Sequence, residues 1–170
     1  PYSISTEEIS EKDDVLYVVE SGDYKNAAAM QGLWNGETFT NTYCGMLDMD
    51  ADGDYLYARL RNALGTRFGG SASALEAYAG GATAEGIAIK KGLHYVYADL
   101  NNNKSTVIDI NSVGLVGALN GWNAGAPIEF AYDAASKSYK ASANVASDGE
   151  FKLVMNKMWN TKVNGVEHQM

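Results

Sequence analysis

Aromatic rings and amides carry more of the chemistry in this sequence than acids, bases or nucleophiles do. Trp122 closes a short apolar run, VGLVGALNGWN (113–123), between Asn120 and Asn123. An indole face stacks well on the apolar C–H face of a pyranose ring, and neighbouring amides can hydrogen-bond its hydroxyls. Rigid aromatics also give large contact area at little entropic cost. The competing reading is a Trp folded back over the end of the core, because Trp is highly buried on average. Trp34 repeats the theme, beside Asn35 and Gly36.

Groups that could run a reaction are sparse. His94 and His168 fall in a strand-like run and in the tail, with no HExxH or paired spacing. There is no G-x-S-x-G elbow, and Cys44 has no base near it in sequence. The stretch GGSASALEAYAGG (69–81) lacks the basic residue and the strand–turn–helix setting of a phosphate loop. A glycosidase needs two carboxylates flanking a cleft, whereas the acids here gather in turns and no pair stands out. The segment DMDADGD (48–54) imitates the start of a calcium loop. Asp48, Asp50, Asp52 and Gly53 fill the early positions, but the bidentate Glu of the last position is replaced by Arg59. An Asp-Gly hairpin turn is the preferred account, with a calcium site of another kind left open. The expectation is a protein that is not an enzyme and needs no cofactor.

Short strands must position these side chains. Val15–Val19 reads as a first strand, ended by Ser21-Gly22-Asp23, and Ala27–Met30 as a helical turn. Tyr55, Tyr57 and Arg59 alternate with Leu56, Ala58 and Leu60. Residues 65–86, rich in Gly, Ala and Ser, read as an irregular connection with a helical turn at 72–78. Ile87–Ile89 and Leu93–Leu100 read as a hairpin turned at Lys90-Lys91-Gly92, and Thr106–Ile110 as a further strand. Beyond 113, two alternating runs flank a polar turn at 133–138. In the strand GEFKLVM, Phe151, Leu153 and Met155 are expected to face inward and Lys152, Val154 and Asn156 outward. Period-2 alternation between turn signals marks antiparallel strands with one buried face.

Composition agrees. Eleven Tyr, 18 Gly and only 2 Pro suit short strands and tight turns. The net charge of −8 disfavours a polyanionic partner, so nucleic acid is not expected. The single cysteine excludes an intrachain disulfide and fits no metal-ligand spacing. No apolar run is long enough to span a membrane as a helix, and no signal peptide is evident. A weak internal repeat suggests two modules: LYVVESGDY (16–24) resembles LVGALNGW (115–122), and LDMDADGDYLYARL (47–60) resembles FAYDAASKSYKASANV (130–145). The division expected is 1–14 as a linker or the end of a preceding module, 15–111 as a first module and 112–170 as a second. The second is shorter and has no counterpart of residues 90–110, so the sequence is expected to stop inside it, with NGVEHQM (164–170) as a loop.

The order VGLVGALNGWN, FAYD, SYKASANV, GEFKLVMNKMWN resembles the starch-binding modules of SusE/SusF-type outer-membrane lipoproteins of Bacteroidetes. It is loosely similar to glycogen-binding modules as well. The resemblance covers residues 112–160 best. It implies an all-β chain of tandem immunoglobulin-like β-sandwich modules, the second incomplete, that binds α-glucan oligosaccharide or polysaccharide without catalysis. It also implies a place on the bacterial surface, with a lipid anchor outside this sequence and a TonB-dependent transporter as neighbour. On this reading Trp122 stacks on a glucosyl ring, Lys152 donates to hydroxyls and Trp159 adds a second aromatic surface, with Asn120, Asn123 and Asn156 as polar neighbours. For Lys152 a solvated strand lysine is the competing account. In the first module Tyr24 and Trp34 hold the corresponding places, with Arg67 as a donor. That module lacks the Phe-Lys strand before a Trp and is alternatively a spacer.

Overall fold

The computed structural model describes residues 11–21, 23–62, 64–79, 82–144, 149–163 and 166–170, and for residues 23–26 the backbone alone. The chain is all-β, 58% strand, with antiparallel sheets. Among the described residues no helix is long and apolar enough to cross a membrane. The chain divides into two compact units between Asp109 and Ile110. The linker expected at 1–14 lies largely outside the described residues.

The first unit is built on one nine-stranded sheet. Its strands are β1 (Val15–Glu20), β2 (Asp23–Trp34), β3 (Phe39–Met49), β4 (Gly53–Ala58), β5 (Arg67–Ser71), β6 (Ala74–Tyr78), β7 (Ile87–Ile89), β8 (Gly92–Asp99) and β9 (Lys104–Asp109). They run in the order β6-β5-β4-β1-β2-β3-β8-β9, with β7 paired to β4. Two backbone hydrogen bonds, Leu75 N to Asn103 O and Ser105 N to Ala72 O, both 2.7 Å, tie the two ends of this path together. The sheet therefore curls on itself around a core that includes Leu16, Met30, Tyr43, Tyr57, Val96 and Ala98. Closure of this kind leaves fewer backbone groups unpaired than an open sheet would.

Four local expectations change. Ala27–Met30 lies within β2: Met30 is wholly buried, and pairing with β1 on one side and β3 on the other outweighs the helix preference of three alanines. Residues 67–78 form the β5–β6 hairpin instead of an irregular stretch with a helical turn. Ile87–Ile89 and Leu93–Leu100 are strands but do not pair with each other, since β7 pairs with β4 and β8 with β3 and β9. Likewise Asp50–Asp52 joins β3 to β4, which are not neighbours, so it is not a hairpin turn.

The last two changes share one cause. Met49 faces Gly92 and Gly53 faces Ile89, so the β3/β8 ribbon continues as β4/β7 through a bend. Such corners let paired strands pass from one part of a curved sheet to another. Asp52 pins this one: its carboxylate accepts the Lys91 N–H at 2.8 Å and pairs with Lys90 Nζ at 2.9 Å. Those contacts hold the carboxyl below its ordinary value, the Lys91 hydrogen bond first. The acidic turn that resembled a calcium loop thus has a structural task.

The second unit has a three-stranded sheet, with β10 (Val113–Gly117) between β11 (Ile128–Glu129) and β14 (Phe151–Met155). Two hairpins join it: β12 (Ala131–Asp133) with β13 (Ser138–Lys140), and β15 (Asn160–Val163) with β16 (Val166–Gln169). The turn at 133–138 is as expected, but the strand after it stops at Lys140. The tail read as a loop contributes β16. Facing is reversed in β14. Val154 is buried against Val116 and Ala124, while Phe151 and Leu153 are 65% and 57% exposed. The physical reason lies next door. Pro127 crowds the Gly114 side of β10, where a Cβ would come within 2.5 Å of the proline ring, so the chain after β10 covers the Val116–Val154 side.

His168 on β16 is buried, and burial holds its imidazole below the ordinary value. A depressed folded value means the neutral ring is favoured by folding. Its contribution is whole above the unfolded value, about 6.5, and is lost as pH falls through the folded one. Urea unfolding on either side of that range should show an acid-induced loss that His168→Gln removes. An equal acid loss in both proteins would contradict the assignment.

Candidate functional site

The turn after β10 is organised by one amide. Asn120 ends a short 3-10 turn (Ala118–Asn120), and its Oδ1 accepts the buried Gly117 N–H at 2.9 Å. Its Nδ2 donates to the carbonyls of Asn123 and Ala126, both at 3.1 Å. Asn123 in turn accepts the Gly125 N–H on Oδ1 at 3.0 Å. Both asparagines expected to meet sugar hydroxyls therefore hold the loop itself.

What they hold is Trp122. Gly121 and Trp122 lie at φ 65 and φ 59, and the Trp122 N–H donates to Gly117 O at 2.9 Å. The left-handed region costs an L-residue roughly 1–2 kcal/mol, and a bulky side chain there is a genuine outlier. The indole is 38% exposed. Its neighbour is Trp159, near-parallel, with centroids 6.4 Å apart and planes 28° apart. Trp159 packs against the Val116–Ala124–Val154 cluster, and its carbonyl accepts the Met170 N–H at 2.8 Å. The tail thus ties down the Trp159 backbone, while the Trp122 ring meets solvent.

Asn156 has a structural duty. Its Oδ1 accepts the backbone N–H of Asn111 at 2.8 Å, and it sits with Lys157 in the left-handed turn after β14. Lys157 pairs with Glu129 at 2.5 Å. Lys152 is exposed, on the same side of β14 as Val154 and opposite Val116 across the pair.

In the first unit, Trp34 ends β2 at 56% exposure and meets Phe39 edge-on, with centroids 5.0 Å apart. The Tyr24 side chain lies outside the described residues. Arg67 is buried and donates to the carbonyls of Ala79 and Ala82, so it is spent on holding the chain after β6. An aromatic pair that sequence reading missed is Tyr132 and Tyr139, directly opposite across β12–β13, with centroids 5.1 Å apart and both residues partly exposed. Their symmetric spacing about the turn at 133–138 was the available signal, since equidistant residues face each other in a hairpin.

Together these features present flat apolar rings at the surface with polar groups around them. Among the described residues no group of three or more His, Cys, Asp and Glu side chains is placed to hold a metal ion. No family model, curated protein or solved structure matches the chain.

Proposed function

We propose that this chain is a non-catalytic binding module for α-glucan, a starch-like polysaccharide held by aromatic stacking on Trp122 with Trp159 beside it. The observation that carries the reading is an exposed indole kept in left-handed backbone by the hydrogen bonds of Asn120. Strain of that kind persists where the surrounding structure over-determines it, and it gathers at ligand clamps. The 28° between the indole planes suits a curved, helical α-glucan better than a flat cellulose-type chain. The exposed Lys152 would donate to hydroxyls at the rim.

The proposal extends to place and form. The parent protein would sit at the bacterial outer membrane, lipid-anchored, beside a TonB-dependent transporter; the sequence resemblance alone supports this. Immunoglobulin-like sandwich modules are the finer form proposed for the antiparallel sheets. The corner at Asp50–Asp52 supports two faces in the first unit, while the bonds tying its sheet ends lean toward a barrel.

A structural spacer is the second reading, favoured by the packing of Trp159 on the small core of its unit. Native gels cast with amylopectin, pullulan, xylan or no glycan separate the two. Retardation by amylopectin and pullulan, with none by xylan, is the expected result. Unretarded migration in every gel would sink the glucan reading and leave the spacer.

A further inference from the structure

The sequence holds three Asn-Gly pairs: Asn35-Gly36, Asn120-Gly121 and Asn164-Gly165, the last outside the described residues. Asn-Gly is the dipeptide in which the following amide nitrogen most easily reaches the side-chain carbonyl, because glycine places no Cβ in the way. The first two pairs meet opposite surroundings.

Asn35 sits in the exposed turn between β2 and β3, with Gly36 at φ 104. Its Oδ1 accepts the N–H groups of Glu37 and Thr38, both at 2.9 Å. Two donors on one carbonyl oxygen polarise the C=O and stabilise the oxyanion that forms when its carbon is attacked. Among the described residues nothing accepts the Gly36 N–H or the Asn35 Nδ2 hydrogens, so the nucleophile and the leaving amide are both unencumbered. At Asn120 the amide donates twice and the Gly121 N–H donates to Ala118 O at 3.3 Å. Reaction there must first surrender three hydrogen bonds.

We infer that Asn35 is a self-modification site and that Asn120 is protected from the same reaction by its fold. The Gly36 nitrogen attacks Cγ of Asn35. The new C–N bond closes a succinimide, the bond to the side-chain nitrogen breaks, and ammonia leaves with the proton from Gly36. Water then opens the ring at either carbonyl, giving aspartate or isoaspartate. The product places a negative charge, and in the isoaspartyl form an extra backbone methylene, directly beside the exposed Trp34–Phe39 pair. The β2–β3 turn thus changes the chemistry of that aromatic surface with age.

Each net hydrogen bond given up is worth about fivefold in rate, so Asn120 should lag Asn35 by on the order of a hundredfold. The whole chain is held in mildly alkaline buffer, folded or in concentrated urea, and mapped by peptide mass spectrometry with isoaspartate detection. Expected in the folded protein is conversion at Asn35 with Asn120 nearly intact, and similar rates at both in urea. Asn35→Gln should silence the site without disturbing Asn120. Equal rates in the folded protein, or a gap between the two that persists in urea, would overturn the inference.

Discussion

Gly69→Ala should destabilise the first unit by about 3 kcal/mol, the upper range for overpacking a filled interior. Gly69 lies in β5, and a Cβ there would come within 2.0 Å of the Glu85 carbonyl oxygen and 2.6 Å of Leu56 Cδ2, both far closer than van der Waals contact. Neither neighbour can yield cheaply. Glu85 O accepts the Gly70 N–H at 2.7 Å, and Leu56 is buried with Val19 and Ala58 under Ala84. The segment leading into β7 therefore lies across the outer side of β4 and β5, held by Arg67 through the carbonyls of Ala79 and Ala82. Urea unfolding of Gly69→Ala beside Ser71→Ala, an exposed position in the same strand, is the measurement. The serine variant should stay within about 0.5 kcal/mol of the parent. If the glycine variant does too, the close approach is not there.

That same approach explains why residues 65–86 look irregular in sequence. A strand buried on one face by core and on the other by a passing segment cannot show period-2 alternation. Close backbone approach also demands glycine, which in sequence reads as a break. Strands β1 and β8 were legible because Leu16 and Val96 face the core while their immediate sequence neighbours are only half-buried. Pairing was less legible than strand identity. Nothing local tells β7 to choose β4 over β8, because the choice depends on the bend at Asp50–Asp52 and on Asp52 reaching Lys91.

The site divides along the same line. Trp122 stood out because an apolar run ended in a Gly-aromatic turn. The structural part that Asn120, Asn123 and Asn156 play was not legible, because a short amide serves a turn and a ligand with the same groups. Which one it serves depends on carbonyls several residues away. In β14 the apolar residues on both faces made the alternation point the wrong way, and the facing follows instead from Pro127 covering the Gly114 side of β10.

Trp122→Ala and Trp122→Gly should both lose retention on amylopectin, by roughly thirtyfold in affinity for an indole stack worth about 2 kcal/mol. They should differ in stability. Ala keeps a side chain at φ 59 and Gly does not, so the glycine variant should be the more stable of the two by about 1 kcal/mol. A ring 38% exposed has less burial to lose than a core one, so both variants should fall short of the 3–5 kcal/mol of a deleted core aromatic. Urea midpoints and native-gel mobility on the same preparations read both quantities. Undiminished retention in both variants would remove Trp122 from the site. A core-sized stability loss in both, with retention falling only as the unit unfolds, would make the indole a structural cap. Binding lost while glycine outlasts alanine is what a strained turn held for a ligand requires, because the strain then serves the ring's exposure and not the unit's packing.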